Sequence, residues 1–325
     1  MAFQDHNKGP EVLAVFGTGT ALASIAVILR LWVRARILRK IGADDWIMAI
    51  SLVLVYASLS CIAVSVHHGL GRHKEFLAPK ETSTALKFLW VGFCFTPSAE
   101  ATAKISISIM LMRITTSAQW KRFFISLITL MMMITVAGLL VILLSCWHVE
   151  LLRDPTLNDH CEALPMTVII YIQGVMAAGY DIILASSPIF LLWNVKINFY
   201  DKTLLCGLLG LGFFTSASGI VRTVYTPGAT RGEDLTYTVL EFLIWKCVEL
   251  PLSIIVGCLP TLRPLFNRSK LDRSYQKQED SYGLINRGID QRIRKTTTID
   301  MDVDAVSSDN SHSVENSAWD VEARG

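Results

Sequence analysis

The sequence has little charge for its length. Only 18% of its 325 residues are Asp, Glu, Lys or Arg, whereas soluble proteins carry about a quarter. The shortage is uneven, because residues 267–325 alone hold 9 Lys or Arg and 11 Asp or Glu. The part before them is too apolar for a water-soluble α/β enzyme of this size. The composition also excludes a disordered protein, a nucleic-acid binder with a basic face and a small secreted domain held by disulfides.

Recognised catalytic motifs are missing as well. The chain has neither a Gly-rich phosphate loop nor a His-Glu-x-x-His zinc motif, so its motifs predict no cofactor and no metal. It has no series of short alternating strands of the kind that forms a membrane β-barrel. Apolar residues occur instead in long runs, with 52% hydrophobic residues and a mean hydropathy of +0.43.

Seven of these runs are long enough to cross a bilayer as helices, which takes roughly 20 residues. They predict an all-α, multi-pass membrane protein with a seven-helix bundle, in the plasma membrane or an endomembrane. The bundle occupies residues 12–266, between a short N-terminus at 1–11 and a tail at 267–325. The predicted spans are 12–33, 46–66, 86–112, 123–147, 166–193, 203–225 and 239–258.

Lys and Arg near the ends of the spans predict the orientation. Loops one, three and five and the stretch after span seven carry more of them than the N-terminus and loops four and six do. Loop two is an exception, with Arg72, Lys74 and Lys80. The sum favours an extracellular N-terminus and a cytoplasmic C-terminus. Basic residues follow span one rather than precede it, which favours a signal anchor over a cleaved signal peptide.

The tail at 267–325 has few large apolar residues and no helical or strand period, so it is predicted to be disordered. Its first half is basic and its end is acidic. The basic half could lie on anionic lipid, or the whole tail could simply be solvated. A cytoplasmic tail of this length also offers a contact site for a signalling partner.

Two of the seven cysteines, Cys146 and Cys161, bracket loop four. On the predicted orientation this loop faces an oxidising compartment. A Cys146–Cys161 disulfide is therefore favoured over two free thiols. Cys94 is the competing partner, although it lies deeper in span three. The other cysteines inside the spans are interpreted as small packing residues.

Charged residues inside the spans are costly in hydrocarbon and usually mark a site or a structural pair. Glu100 and Lys104 are four residues apart on one face of a helix and can pair with each other. Lys104 could also reach Asp181, and a cation from span six or seven could neutralise Glu249. One buried polar cluster is predicted, serving as packing contact, ligand site or proton relay. Its members are Glu100, Lys104, Asp181, Arg222, Lys246 and Glu249.

The loop before span two contains Asp44, Asp45 and Trp46. Acidic residues at a helix N-terminus accept hydrogen bonds from free N–H groups and complement the helix dipole. Trp46 suits the membrane interface. This motif predicts a structural role rather than catalysis.

Loop two carries a second motif of glycines, Gly69 and Gly71, followed by Arg72 and His73. With His67 and His68 just before it, the loop has three histidines that could bind a metal or sense pH. Their spacing matches no established metal motif. A Gly-rich loop with interfacial histidines is the alternative interpretation.

Taken in order, these motifs resemble the fungal rhodopsin-like integral membrane protein family, some of whose members are encoded in secondary-metabolite gene clusters. The resemblance covers the body from Leu29 to Phe266. It implies a seven-helix fold and a membrane location, but little chemistry. Two departures are a Trp rather than a Pro after Cys146, and Lys246 where a small or polar residue is usual. The matching motifs are Leu29-Arg30, Arg34-Ala-Arg36, Gly42 to Trp46, His68 to His73, Lys104 to Ser106, Arg113-Ile114, Asp181 to Pro188, Trp193, Gly219 to Arg222, Ile244 to Glu249 and Leu259 to Phe266.

Several functions fit such a protein. Seven spans and a long tail favour a receptor or sensor that binds a small apolar ligand entering from outside or from lipid. Span three nevertheless ends Leu111-Met112-Arg113, without an acidic-Arg-aromatic triplet, and span seven lacks Asn-Pro-x-x-Tyr. The resemblance implies, as the alternative, an enzyme or accessory protein of secondary metabolism. A transporter would show inverted repeats, and none is clear.

Retinal binding is disfavoured. It needs a lysine deep in the last span to form a Schiff base, with a carboxylate counter-ion nearby. Lys246 fits that position, but Phe242 stands where the microbial rhodopsin pattern has an aspartate four residues earlier. Glu249 is close in sequence but lies on the other side of the lysine.

Overall fold

The computed structural model describes residues 7–115, 117–147, 164–192, 199–226 and 235–266. Seven long helices account for most of this part of the chain, and the bundle they form is one compact unit that ends at Leu265. The helices are α1 (Gly9–Trp32), α2 (Ala43–His67), α3 (Pro79–Ile114), α4 (Ala118–Trp147), α5 (Leu164–Leu192), α6 (Phe199–Val224) and α7 (Leu235–Phe266).

Most of these helices are longer than the apolar spans predicted for them, because their ends continue into polar sequence. Helix α3 begins seven residues before the predicted span, at Pro79, which suits the first turn of a helix since it has no N–H to leave unpaired. Helix α7 extends at both ends, from Leu235 to Phe266. Helix α1 ends in a π-helical turn at Val33–Ile37.

Many large apolar side chains on the helices point outward, as expected of surfaces that face lipid. Val53, Leu144 and Val175, on α2, α4 and α5, are each more than 60% exposed. Five helices are long and apolar enough to cross a membrane by composition alone, and α6 contributes the shorter apolar segment Leu209–Val224. Helix α3 is not one of these five, because its several charged residues lower its hydropathy. Its position between other helices of the bundle gives the charges inside the span partners to pair with.

Two apolar cores share helix α3. The larger joins α1, α2, α3 and α7 around residues such as Phe16, Met48, Leu89 and Leu250. The smaller joins α3, α4 and α5, with Phe124 completely buried at its centre. Because α3 contributes to both cores, its polar residues lie where several helices can partner them.

A row of serines joins α2 to α3. Ser51 and Ser65 donate hydrogen bonds of 2.7 Å to the carbonyls of Ala99 and Ala85, and Ser58 shares a 2.8 Å hydrogen bond with Thr96. The three serines are seven residues apart and completely buried. Small residues let helix backbones approach closely in lipid, and hydrogen bonds between helices then hold them together.

The segment between α2 and α3 closes one end of the bundle, called here the Gly71 end. Gly69 and Gly71 have φ of +100° and +110°, a conformation that other residues rarely adopt. Gly71 N–H donates to the carbonyl of Thr236 at 3.1 Å, and its own carbonyl accepts from the N–H of Lys8 at 3.2 Å. This loop therefore ties the start of the chain to the start of α7.

Candidate functional site

The six charged residues predicted inside the spans form one continuous network within the bundle. Lys104 lies at its centre and is completely buried. Its Nζ donates to Glu100 Oε1 at 2.7 Å and to the carbonyl of Ala177 at 3.1 Å, and it pairs with Asp181 Oδ1 at 3.0 Å. An ammonium group has three protons, so these three acceptors satisfy it.

The other half of the network surrounds Glu249, which is also completely buried. Arg222 Nε donates to Glu249 Oε2 at 2.8 Å, and Lys246 Nζ lies 3.7 Å from the same oxygen. Lys246 also donates to Oε2 of Glu100, which connects the two halves. The network thereby joins α3, α5, α6 and α7.

The network is balanced in charge but not in hydrogen bonds. Three carboxylates face three cations, which avoids the cost of an unpaired charge in hydrocarbon. However, Asp181 Oδ2 and Glu249 Oε1 are buried without a hydrogen-bond partner among the residues that the structure describes. Leaving a buried polar atom unpaired costs free energy, so such atoms call for an explanation.

A cleft between α3, α4, α5, α6 and α7 borders the network and has a cavity volume of about 70 Å³. Glu100, Arg222 and Lys246 form a charged patch in its lining, whereas Asp181 borders a second, smaller cavity beside Ser253. The rest of the cleft is mainly apolar and aromatic. Its walls include Phe93, Pro97, Met131, Ile134, Ile170 and Phe242.

Arg222 belongs to this patch and has unused donors. Its guanidinium carbon lies 5.4 Å from the centre of the Phe242 ring, a distance at which a cation is attracted to an aromatic face. Nε is the only one of its nitrogens that donates a hydrogen bond within the described part of the chain. Arg222 therefore lines the cleft with two terminal nitrogens that have no acceptor among the described residues.

A second buried charge network lies at the end of the bundle opposite the Gly71 end, and this end is called here the Arg30 end. Arg30 is completely buried and donates to Asp44 Oδ2 at 2.6 Å, Asp45 Oδ1 at 2.9 Å and the carbonyl of Gly257 at 2.8 Å. Arg113 Nη1 lies 2.6 Å from Asp44 Oδ1. This network joins α1, α2, α3 and α7.

Sequence reasoning assigned only part of this second network. Asp45 accepts a hydrogen bond from Gly42 N–H at 2.9 Å, as a residue that caps a helix does, and Trp46 is 68% exposed at the bundle surface. The pairing of Arg30 with both aspartates was missed. Opposite charges at the adjoining ends of spans one and two were the available signal.

The residues at the Gly71 end serve local packing. Thr236 donates to the carbonyl of Arg72 at 2.9 Å, and the ring of His73 stacks on that of Tyr237 with 4.1 Å between centroids. Lys8 donates to Glu241 at 3.0 Å, and this hydrogen bond raises the pKa of Lys8. Within the described residues no three His, Cys, Asp or Glu side chains are grouped as metal ligands would be.

The predicted Cys146–Cys161 disulfide lies outside the described residues, since Cys161 falls between α4 and α5. The disulfide therefore stays a prediction. Cys61, Cys206, Cys247 and Cys258 are free thiols.

Comparison with known proteins assigns the bundle. A family profile described as the fungal rhodopsin domain matches residues 29–268. The chain belongs to the fungal rhodopsin domain family. This membership agrees with the seven-helix architecture and with a multi-pass protein that has the lipid bilayer as its surroundings. Both charge networks, which begin at Arg30 and end before Phe266, lie within the matched residues of the fungal rhodopsin domain.

The chain is also similar to a named fungal protein. The chain is 23% identical over 270 residues to a Metarhizium anisopliae protein named polyenoic acids biosynthesis gene cluster protein Ba17b. The similarity covers 79% of this chain and 72% of the relative. The name of that fungal protein refers to a gene cluster and not to a reaction.

Proposed function

We propose that this fungal rhodopsin domain protein is receptor-like and binds a small, mostly apolar molecule in the cleft that α3, α4, α5, α6 and α7 line. The observation that supports the proposal is the lining of this cleft, where one charged patch interrupts apolar and aromatic walls. Ligand sites are commonly concave and apolar, with a few polar groups that orient the ligand.

The charge network gives such a ligand a way to affect the bundle. Glu100, Arg222 and Lys246 border the cleft and belong to three helices, α3, α6 and α7. A ligand that contacts one of them changes how the three helices pair with one another. Binding can shift a conformational equilibrium only when the ligand interacts differently with the two states. A rearranged ion-pair network supplies that difference.

A second candidate function is supported by the relative named for a polyenoic acids biosynthesis gene cluster. In this role the protein would be an enzyme or accessory protein of secondary metabolism, and the cleft would hold an apolar pathway intermediate. Carboxylates beside a cleft can act in acid–base chemistry. Both functions use the same cleft, so one experiment can separate them.

The experiment uses a gene deletion strain complemented with the wild type, Ile170→Trp or Ile172→Trp. Ile170 lines the cleft, whereas Ile172 on the same helix is 46% exposed toward lipid and serves as the matched control. Metabolite profiles and transcript responses to external stimuli are recorded for each strain.

Loss of the stimulus response in the Ile170→Trp strain, with the metabolites unchanged, supports the receptor. Loss or truncation of a metabolite supports the biosynthetic role. If Ile170→Trp complements as fully as Ile172→Trp in both measurements, the cleft is not the functional site.

A further inference from the structure

We infer that the ligand of this cleft is an amphipathic carboxylate, with its carboxyl group on Arg222 and its apolar chain between the walls formed by α3, α4 and α5. The inference rests on the proposed function and specifies the class of molecule that it leaves open. Two observations support it: the free donors of Arg222 and the chemistry of the cleft walls.

The free donors come first. Arg222 uses Nε for Glu249, so the guanidinium is oriented by a fixed, completely buried carboxylate. Its terminal nitrogens donate no hydrogen bond within the described residues, although the side chain is only 5% exposed. A planar guanidinium binds a carboxylate through two parallel hydrogen bonds. An oriented guanidinium with two unused donor nitrogens therefore borders the cleft.

The walls fit an apolar chain. Phe93, Met131, Ile134 and Ile170 are apolar contributions from α3, α4 and α5. Burying apolar surface stabilises a ligand in proportion to the area removed from water. A carboxylic acid also reaches such a site through lipid in its neutral form, which avoids moving a charge through hydrocarbon.

The test uses the full-length protein in lipid nanodiscs and a photoreactive fatty acid with a diazirine on its chain. Crosslinked residues are mapped by mass spectrometry, and empty nanodiscs correct for partitioning into lipid. Dodecanoate, dodecanol and dodecyl phosphate are the competitors. We expect crosslinks in the cleft walls and competition by dodecanoate at least about tenfold stronger than by dodecanol, since hydrogen bonds to a charged group contribute that much. Equal competition by dodecanol, or stronger competition by dodecyl phosphate, would overturn the carboxylate assignment.

Variants test separately whether the cleft binds a ligand and whether Arg222 selects a carboxylate. Arg222→Gln alone leaves Glu249 buried without its cation and can prevent folding. The double variant Arg222→Gln/Glu249→Gln keeps the network neutral and retains a hydrogen-bonding pair. We expect it to crosslink still, but with no preference for dodecanoate over dodecanol.

A preference for dodecanoate that persists in the double variant would refute the role of Arg222, while leaving the cleft as a ligand site. If Ile170→Trp fails to reduce crosslinking relative to Ile172→Trp, the proposed function itself is wrong. Reduced crosslinking in Ile170→Trp together with a lost preference in the double variant supports both the cleft as the ligand site and Arg222 as the residue that binds the carboxylate.

Discussion

Replacing Arg30 by Met is expected to destabilise the bundle strongly. Arg30 is completely buried and makes hydrogen bonds of 2.6 to 2.9 Å with Asp44, Asp45 and the carbonyl of Gly257. Removing one partner of a buried ion pair costs about 3–5 kcal/mol, because the remaining charge is left uncompensated. Asp44 keeps Arg34 at 3.0 Å and Arg113 at 2.6 Å, whereas Asp45 keeps only the longer 3.6 Å contact with Arg34. The loss therefore falls mainly on Asp45 and the carbonyl. We therefore expect the free energy of unfolding to fall by about 3 kcal/mol, near the lower end of that range.

The measurement is thermal unfolding of the purified protein in nanodiscs, followed with a dye that fluoresces on reaction with a thiol. Cys247 and Cys258 are buried and become reactive only when the bundle opens, and the exposed Cys206 is replaced by Ser in every variant. Arg36→Met is the matched control, since Arg36 is exposed on the same segment. Surface substitutions of this kind usually change stability by less than about 0.5 kcal/mol.

Two further variants test the reason for the loss. Arg30→Lys keeps the charge but cannot contact both carboxylates with a planar group, so it should unfold at a temperature between the wild type and Arg30→Met. Arg30→Met/Asp45→Asn removes the stranded charge and should regain part of the stability. If Arg30→Met unfolds at the same temperature as Arg36→Met, the Arg30 network does not hold these helices together.

Three other substitutions have expected outcomes. Asp181→Asn should lower the unfolding temperature less than Glu249→Gln does. Lys104 keeps other acceptors in the first case, whereas the second weakens the carboxylate that, among the described residues, is alone in bonding Arg222; equal losses would contradict this. Gly71→Ala should cost about 1 kcal/mol or more in the same unfolding assay, because φ is +110° there, and an unchanged stability would refute the strain. Added retinal should give no visible absorbance band that is lost in Lys246→Ala, because Phe242 stands where the microbial rhodopsin pattern has an aspartate four residues before the lysine.

The seven helices could be predicted because length and apolarity alone determine which segments suit a bilayer. The charged residues inside them could also be identified, since charge is rare in hydrocarbon. Which cation pairs with which carboxylate could not. Sequence allowed either Arg222 or Lys246 to neutralise Glu249, and the choice depends on how α6 and α7 pack. Cations from both helices contact this carboxylate, at 2.8 and 3.7 Å.

Other features can be recognised from the spacing of residues along the sequence, although not from its composition. Ser51, Ser58 and Ser65 repeat every seven residues, a period that keeps one face of a helix toward a neighbour. Arg30 belongs to an apolar run and was interpreted only as a flanking charge. The cleft has no sequence signal of this kind, because an unfilled volume depends on the relative positions of five helices rather than on any local pattern.

The position of Arg30 has a consequence for how the chain is made. Its partners Asp44 and Asp45 follow it closely, but the carbonyl of Gly257 belongs to α7. Ribosomes deliver helices in order from the N-terminus, so α1 carries a buried cation that lacks one acceptor until α7 has been made. A chain truncated before α7 would present this arginine incompletely satisfied within the membrane. Surveillance of membrane insertion can therefore distinguish copies with α7 from copies without it at this one residue.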